Sequence, residues 1–238
     1  MATHESQIPI GRWVAQRPAA AAVLERAGID YCCRGDRPLA DACQERGIQV
    51  EQLLAAVAAE EQQIEQRQSD RYVNWLERPL AELCDHIEQT HHAYLKSELP
   101  RLAELIDKVL AAHAERHPVL RDIKRVFAEL RAELEPHMFK EERILFPAVR
   151  QLEQAGGDVA FPFGSVANPI RVMEHEHAAA SSALRELREL TGNYRPPADA
   201  CNAYCAMLEA LQNLEFDLHR HIHKENNILF PRAMALES

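Results

Sequence analysis

The sequence predicts an all-α chain in which a small helical domain precedes an up-down-up-down four-helix bundle. Three observations predict it. Only 8 of the 238 residues are glycine, and long Ala/Leu/Glu/Arg stretches carry high helix propensity. Beyond residue 72, apolar residues recur at intervals of three and four, the period of one helix face. A doubled segment also links two of these stretches. His137-Met138-Phe139-Lys140-Glu141, followed by Ile144-Leu145-Phe146-Pro147, returns 84 residues on as His221-Ile222-His223-Lys224-Glu225, followed by Ile228-Leu229-Phe230-Pro231.

The first domain spans 1–65. Pro18 opens an Ala-rich helix over 19–27 that Gly28 ends, and the loop Asp30-Tyr31-Cys32-Cys33-Arg34-Gly35 follows. Pro38 opens a second helix ending near Gly47, and 50–65 forms a third, amphipathic one. The polar stretch 62–70 reads as a hinge or as exposed continuing helix. The second domain, 72–238, holds four rods over 79–112, 118–154, 168–191 and 197–235. Breaks at His117-Pro118, at Gly156-Gly157 through Pro169, and at Gly192 through Pro197 separate them. A rod of about 30 residues is roughly 45 Å long, and four of them can bury a metal site between facing side chains.

Bulk composition narrows the function. Hydrophobic residues at 47% and charged residues at 27% fit a folded chain. A net charge of −10 disfavours a nucleic-acid partner, which needs a basic stripe. The first residues lack a basic stretch leading into an apolar one, so a secretory signal is not expected. No run approaches the ~18 apolar residues of a membrane span. Six cysteines without a secreted signature suggest free thiols in a reducing cytoplasm.

The repeated segment carries the chemistry. His and Glu four apart on a helix share one face, so His137 and Glu141 point together, as do His221 and Glu225. Each pair interrupts an apolar stripe: Leu130, Leu134, Leu145 and Ala148 on the second rod, and Leu211, Leu214, Leu218, Ile228 and Leu229 on the fourth. Polar groups inside such a stripe are costly unless something satisfies them. On the first and third rods, aligning His92 with His177 brings Leu95, Leu99 and Leu102 into step with Ala180, Leu184 and Leu187. Periodicity through Leu80, Cys84 and Ile87 points instead to His91, but the internal repeat selects His92. The candidate metal ligands are therefore His92, His137, Glu141, His177, His221 and Glu225. Four imidazoles with two carboxylates able to bridge suit a non-haem di-iron or di-manganese centre better than a four-coordinate zinc. An oxo or hydroxo bridge and one open place would complete it. Glu133 and Glu176 flank the inner face as hydrogen-bond partners. His175 and Glu142 are expected to face water, and so is the His219/His223 pair.

These motifs resemble the hemerythrin-like cation-binding domain. With Asp30 to Gly35, Asp85-His86, the two His/Glu blocks, Met173 to His177 and Glu225-Asn226-Asn227, nearly the whole chain is similar to the iron-sulfur cluster repair di-iron proteins (the RIC family). The resemblance implies the same six ligands, with Glu141 and Glu225 as bridges. The family loop usually reads Cys-Cys-Gly-Gly, whereas here Arg34 and Asp36 surround a single Gly35.

The resemblance also implies the physiological role: repair of iron-sulfur clusters damaged by nitrosative or oxidative stress, through donation of iron. The partners would be damaged iron-sulfur proteins, with nitric oxide or dioxygen as small ligands, and a homodimer is compatible with the family. Two alternatives stand beside this role, a nitric oxide-reducing enzyme with Glu133 or Glu176 delivering protons, and a sensor or scavenger of oxygen or nitric oxide. Vicinal Cys32-Cys33 cannot close a relaxed disulfide. In an exposed loop beside Arg34 the pair is expected to favour thiolate and to serve in iron transfer, disulfide exchange or oxidant sensing. Cys43, Cys84, Cys201 and Cys205 read as core fillers.

Overall fold

The computed structural model describes residues 6–66, 73–157 and 159–237, and among these every regular element is helical. The amino-terminal unit holds α1 (Ile10–Gln16), α2 (Ala20–Ala27), α3 (Leu39–Glu45) and α4 (Val50–Gln66). Gly28 ends α2 at φ 67, the left-handed conformation expected of a glycine cap. Helix α1 was not anticipated, because its seven residues are too few to show a period. Trp13, Leu24, Leu39, Cys43 and Val57 close a separate small core. The predicted hinge is helix as far as Gln66, and 67–70 lie outside the described residues.

The four rods follow. The first runs through α5 (Leu80–His86), a π-helical turn Ile87–His92 and α6 (Ala93–His113). The second comprises α7 (Leu120–Lys140), a π turn Glu141–Leu145 and α8 (Phe146–Ala155). The third is the unbroken α9 (Ala167–Leu190). The fourth comprises α10 (Asn202–Lys224), a π turn Glu225–Leu229 and α11 (Phe230–Glu237). Consecutive rods pack against each other, and the first meets the fourth, which closes the ring. The fourth rod starts five residues later than expected, since Cys201 is still extended (φ −80, ψ 168).

Both predicted stripes are buried, and the His/Glu level divides the interior. One core holds Leu95, Leu99, Leu130, Leu184, Leu211 and Leu218. The other holds Leu83, Ile87, Phe146, Val149, Ile170 and Phe230. Each fully buried Leu or Phe contributes about 1.5–3 kcal/mol, so apolar layers on either side fix the rods that present the polar layer.

The three π turns were not foreseen. Each ends or begins on a candidate ligand, at His92, Glu141 and Glu225, as π-bulges often do at functional sites. Pro147 and Pro231, just beyond two of them, have no N–H to continue the helical ladder. Proline alone is not the cause, because Pro100 and Pro136 sit inside regular α-helix.

Candidate metal centre

Six side chains from four rods meet between the two cores. His92, Glu141, His221 and Glu225 form one group of donor atoms within 4.8 Å of one another, and His137, Glu141, His177 and Glu225 form a second. The groups share both carboxylates. All six residues are at most 2% exposed. Each rod contributes one imidazole, and the second and fourth add a glutamate one turn on, where the helix period puts it on the same face.

The donors face one another with too few protons to satisfy them. Glu141 Oε2 lies 3.3 Å from both His92 Nε2 and His137 Nε2. Glu225 lies 3.2 Å from His177 Nε2 and 3.0 Å from His221 Nε2. His137 and His177 oppose each other Nε2 to Nε2 at 3.2 Å. His92 Nε2, both Glu141 oxygens and Glu225 Oε2 are buried without a hydrogen-bond partner, a costly state that cations would relieve. Separations near 3 Å also match the edges of a coordination polyhedron with bonds of roughly 2.1 Å.

Electrostatics point the same way. Burial works to lower the His137 pKa, but the charges of Glu141 and Glu225 win and raise it to about 9. Burial works to raise the Glu141 carboxyl, yet His137, His92 and His221 hold it well below the usual range. The pocket favours positive charge, whether protons or metal ions.

The outer nitrogens of three of the four histidines are fixed by surrounding polar groups, whereas His221 Nδ1 is buried without a hydrogen-bond partner. His92 Nδ1 donates to Glu142 Oε1 at 2.8 Å, and Lys96 Nζ donates to the same oxygen at 2.6 Å. His137 Nδ1 donates to Glu176 Oε2 at 2.8 Å, while Lys140 pairs with the other Glu176 oxygen. His177 Nδ1 donates to Asn226 Oδ1 at 2.8 Å. Each bond aims Nε2 inward and leaves it as the nitrogen that can exchange its proton for a metal ion, the usual arrangement around metal-binding histidines. Glu142 therefore does not face water as expected. No helical period distinguished it, because the π turn starts at its neighbour. Glu176 takes the expected place beside a ligand. Glu133 is exposed and lines a small cavity with His137, Glu176, His177 and His221. Among the described residues no hydrogen bond joins it to a candidate ligand.

Of the neighbouring histidines, the structure places His92 and not His91 in the buried cluster. His91 turns away, donating through Nδ1 to Asp217 at 2.8 Å, with Lys224 Nζ 2.8 Å from its Nε2. His175 is exposed, as expected. The His219/His223 pair is not a solvated face: His223 is buried with the Tyr31 ring 5.2 Å away. Tertiary contact from the amino-terminal unit covers it, and helix periodicity carries no signal for that.

The same contact brings the vicinal cysteines to the centre. Cys33 Sγ lies 3.0 Å from Ser181 Oγ and 3.6 Å from the His177 carbonyl oxygen. Asn226, which holds His177, also donates through Nδ2 to the Cys32 carbonyl at 3.4 Å. Asn227 Nδ2 donates to that carbonyl at 3.0 Å. The loop is less exposed than expected, with Cys32 buried and Cys33 half-buried. Arg34 is not what favours the thiolate, since it pairs with Glu45 at 3.2 Å. Hydrogen bonding from Cys32 lowers the Cys33 thiol, helped by Ser181, and raises Cys32 in turn. Asp30 Oδ1 accepts both cysteine amides, at 3.0 and 3.1 Å. Gly35 has no room for a side chain: a Cβ on it would sit 2.2 Å from Asn227 Oδ1, and one on Gly11 would sit 1.9 Å away. Cys43 and Cys84 are buried as expected, but Cys201 and Cys205 are exposed and fill no core.

A four-helix bundle that closes on a buried layer of four imidazoles and two shared carboxylates is a hemerythrin-type metal protein. Residues 85–233 match the hemerythrin HHE cation binding domain, and residues 6–61 match a domain of unknown function named ScdA_N (DUF542). The chain belongs to the hemerythrin HHE family, which makes the buried layer a non-haem iron site in kind. Over 96% of its length it is 38% identical to the iron-sulfur cluster repair protein YtfE of Escherichia coli O157:H7, covering 97% of that protein. It is 37% identical, with the same coverage, to proteins of that name in Escherichia coli O17:K52:H18 and Shigella boydii serotype 4. Among the described residues no helix is long and apolar enough to cross a membrane.

Proposed function

We propose that this protein restores iron-sulfur clusters damaged by nitrosative or oxidative stress by donating iron held in a two-iron site. His92 and His221 would hold one ion and His137 and His177 the other, with Glu141 and Glu225 available to both. The sharing of two buried carboxylates between two donor groups carries this reading, and the full-length likeness to repair proteins supports the role. Bound iron would supply both redox chemistry and the cargo.

The chain's own residues make that iron holdable yet releasable. Neutral imidazoles and carboxylates bind ferrous iron less tightly than a thiolate cage does. Glu142, Glu176 and Asn226 keep His92, His137 and His177 oriented. The loop carrying Cys32 and Cys33 lies against His177 and Asn226, so a thiolate at Cys33 is in place to receive iron on its way to a client. The proposed organisation is a 1–65 unit supplying these thiols and a 72–238 unit supplying the metal site, acting in the cytoplasm.

A second reading rests on the cavity beside Glu133, Glu176, His137, His177 and His221, which has about 10 Å³ of space for the centre of a water-sized molecule. That suits a small ligand such as nitric oxide or dioxygen. The test combines iron analysis and Mössbauer spectroscopy of the purified protein with repair of a client whose cluster nitric oxide has destroyed. Two irons per chain and restoration matched by iron loss support donation. Sustained nitrous oxide production with an electron donor, without restoration, would overturn it.

A further inference from the structure

The end of the bundle away from the centre carries a second gathering of metal-binding side chains. His92 and His113 are 21 positions apart on the first rod, about 30 Å along a helix. There the turn after α6 meets the start of α10. His113 and His117 stand one helical turn apart, with the His117 amide donating to the His113 carbonyl at 2.8 Å. Opposite them, Cys201 caps α10 and Asp199 lies two residues before it. His113 Nε2 is 3.2 Å from Cys201 Sγ, and His117 Nε2 is 3.0 Å from Asp199 Oδ1.

We propose that His113, His117, Asp199 and Cys201 form a binding site for a zinc-class divalent cation, separate from the central pair. Two histidines four apart, one at the end of α6 and one in the turn that follows it, with a short Asp-x-Cys segment facing them, give four donors of the kinds zinc prefers. With Zn–N near 2.0–2.1 Å and Zn–S near 2.3 Å, tetrahedral donors stand roughly 3.3–3.6 Å apart. The two observed pairs fall a few tenths of an ångström inside that.

The four are not yet gathered on one point. Among the described residues, three or more donors lie within 4.8 Å of one another only at the centre. The His113 and His117 rings are 6.1 Å apart, whereas two imidazoles on one tetrahedral ion put their rings at roughly 5 Å. The ion must therefore draw the pairs together by about 1 Å. Arg116 now bridges them, 3.2 Å from Asp199 Oδ2 and 3.4 Å from His113 Nδ1. Its exposed side chain can swing out as the ion takes over its positive charge. On binding, Cys201 releases its thiol proton to solvent and both imidazoles bind as neutral bases. One thiolate and one carboxylate then balance the two charges of the metal, and the thiolate selects against oxygen-seeking magnesium and calcium.

Cobalt(II) titration of the iron-loaded protein without oxygen tests this, because cobalt reports geometry and thiolate ligation in its absorption. The expected result is one cobalt beyond the iron content, with a thiolate-to-cobalt band, tetrahedral visible bands and displacement by zinc. Cys201→Ser should abolish the thiolate band, and His117→Gln should weaken cobalt binding about tenfold or more, with iron content and helical circular dichroism unchanged in both. Cys205→Ser, which removes the other exposed thiol of that helix, should bind as the parent does. An octahedral cobalt spectrum, a thiolate band that survives Cys201→Ser, or tight binding retained by His117→Gln would overturn the proposal. Should Cys201→Ser misfold, the His117→Gln and Cys205→Ser titrations still decide it.

Discussion

On the proposed two-iron reading, removing the Glu176 carboxylate should loosen one iron and spare the other. Glu176 touches only His137 among the six donors, accepting its Nδ1 proton at 2.8 Å, and His137 belongs only to the group completed by His177. In Glu176→Ala that imidazole loses the partner fixing its tautomer and ring angle, and its N–H is left partly buried. Loss of such an orienting bond typically costs about 10–100-fold in metal affinity, equivalent to about 1.4–2.7 kcal/mol. Glu142→Ala should do the same to the ion held by His92 and His221, since Glu142 holds His92 at the same distance. The assay is competition for ferrous iron with a graded chelator, read together with Mössbauer spectra that count the iron sites. Each variant should lose one iron at chelator strengths the parent resists, and the double variant should lose both. Loss of both irons together from each single variant, or no loss from either, would refute the assignment of these carboxylates to separate ions.

Three further outcomes follow from the geometry. Glu141→Leu with Glu225→Leu should abolish two-iron stoichiometry while leaving far-ultraviolet circular dichroism largely unchanged, because leucine matches the neighbouring stripes; two retained irons would mean that these carboxylates are not the bridges. Gly35→Ala places a methyl 2.2 Å from Asn227 Oδ1, an overpacking cost of about 1–3 kcal/mol, and hydrogen exchange should rise across residues 30–37 while the bundle stays protected. Cys32→Ser with Cys33→Ser should leave iron loading intact but impair cluster restoration, measured as recovered client activity; full recovery would reduce the pair to a structural turn.

A pH dependence comes from His86, whose pKa burial and Lys224 push down to about 4. A histidine depressed in the folded state favours folding above its unfolded pKa of about 6.5 and loses that contribution as pH falls toward 4. Metal-free protein should therefore weaken across that window in urea melts, and His86→Leu should flatten this acid limb.

The doubled His/Glu segment and the stripes around it were enough to place six donors on four rods, because helix geometry fixes which residues share a face. The match between Leu95, Leu99, Leu102 and Ala180, Leu184, Leu187 even separated His92 from His91. What the sequence pattern could not show is anything made by elements distant in the chain. Glu142 is one more acid beside Glu141 on the second rod until the rods assemble and it meets His92 from the first. Cys201 reads as an interior residue by spacing, yet the late start of α10 leaves it exposed beside His113.

The sequence by itself determined an all-helical bundle with an inward layer of imidazoles and carboxylates, since propensity, period and repetition are local properties of the chain. Only the tertiary structure decided that the donors sort into two groups sharing both glutamates, that π turns stand at three of the candidate ligands, and that Asn226 ties the cysteine loop to His177. Those depend on rod register and on the docking of a separate unit, which are set by burial and side-chain shape across long sequence separations.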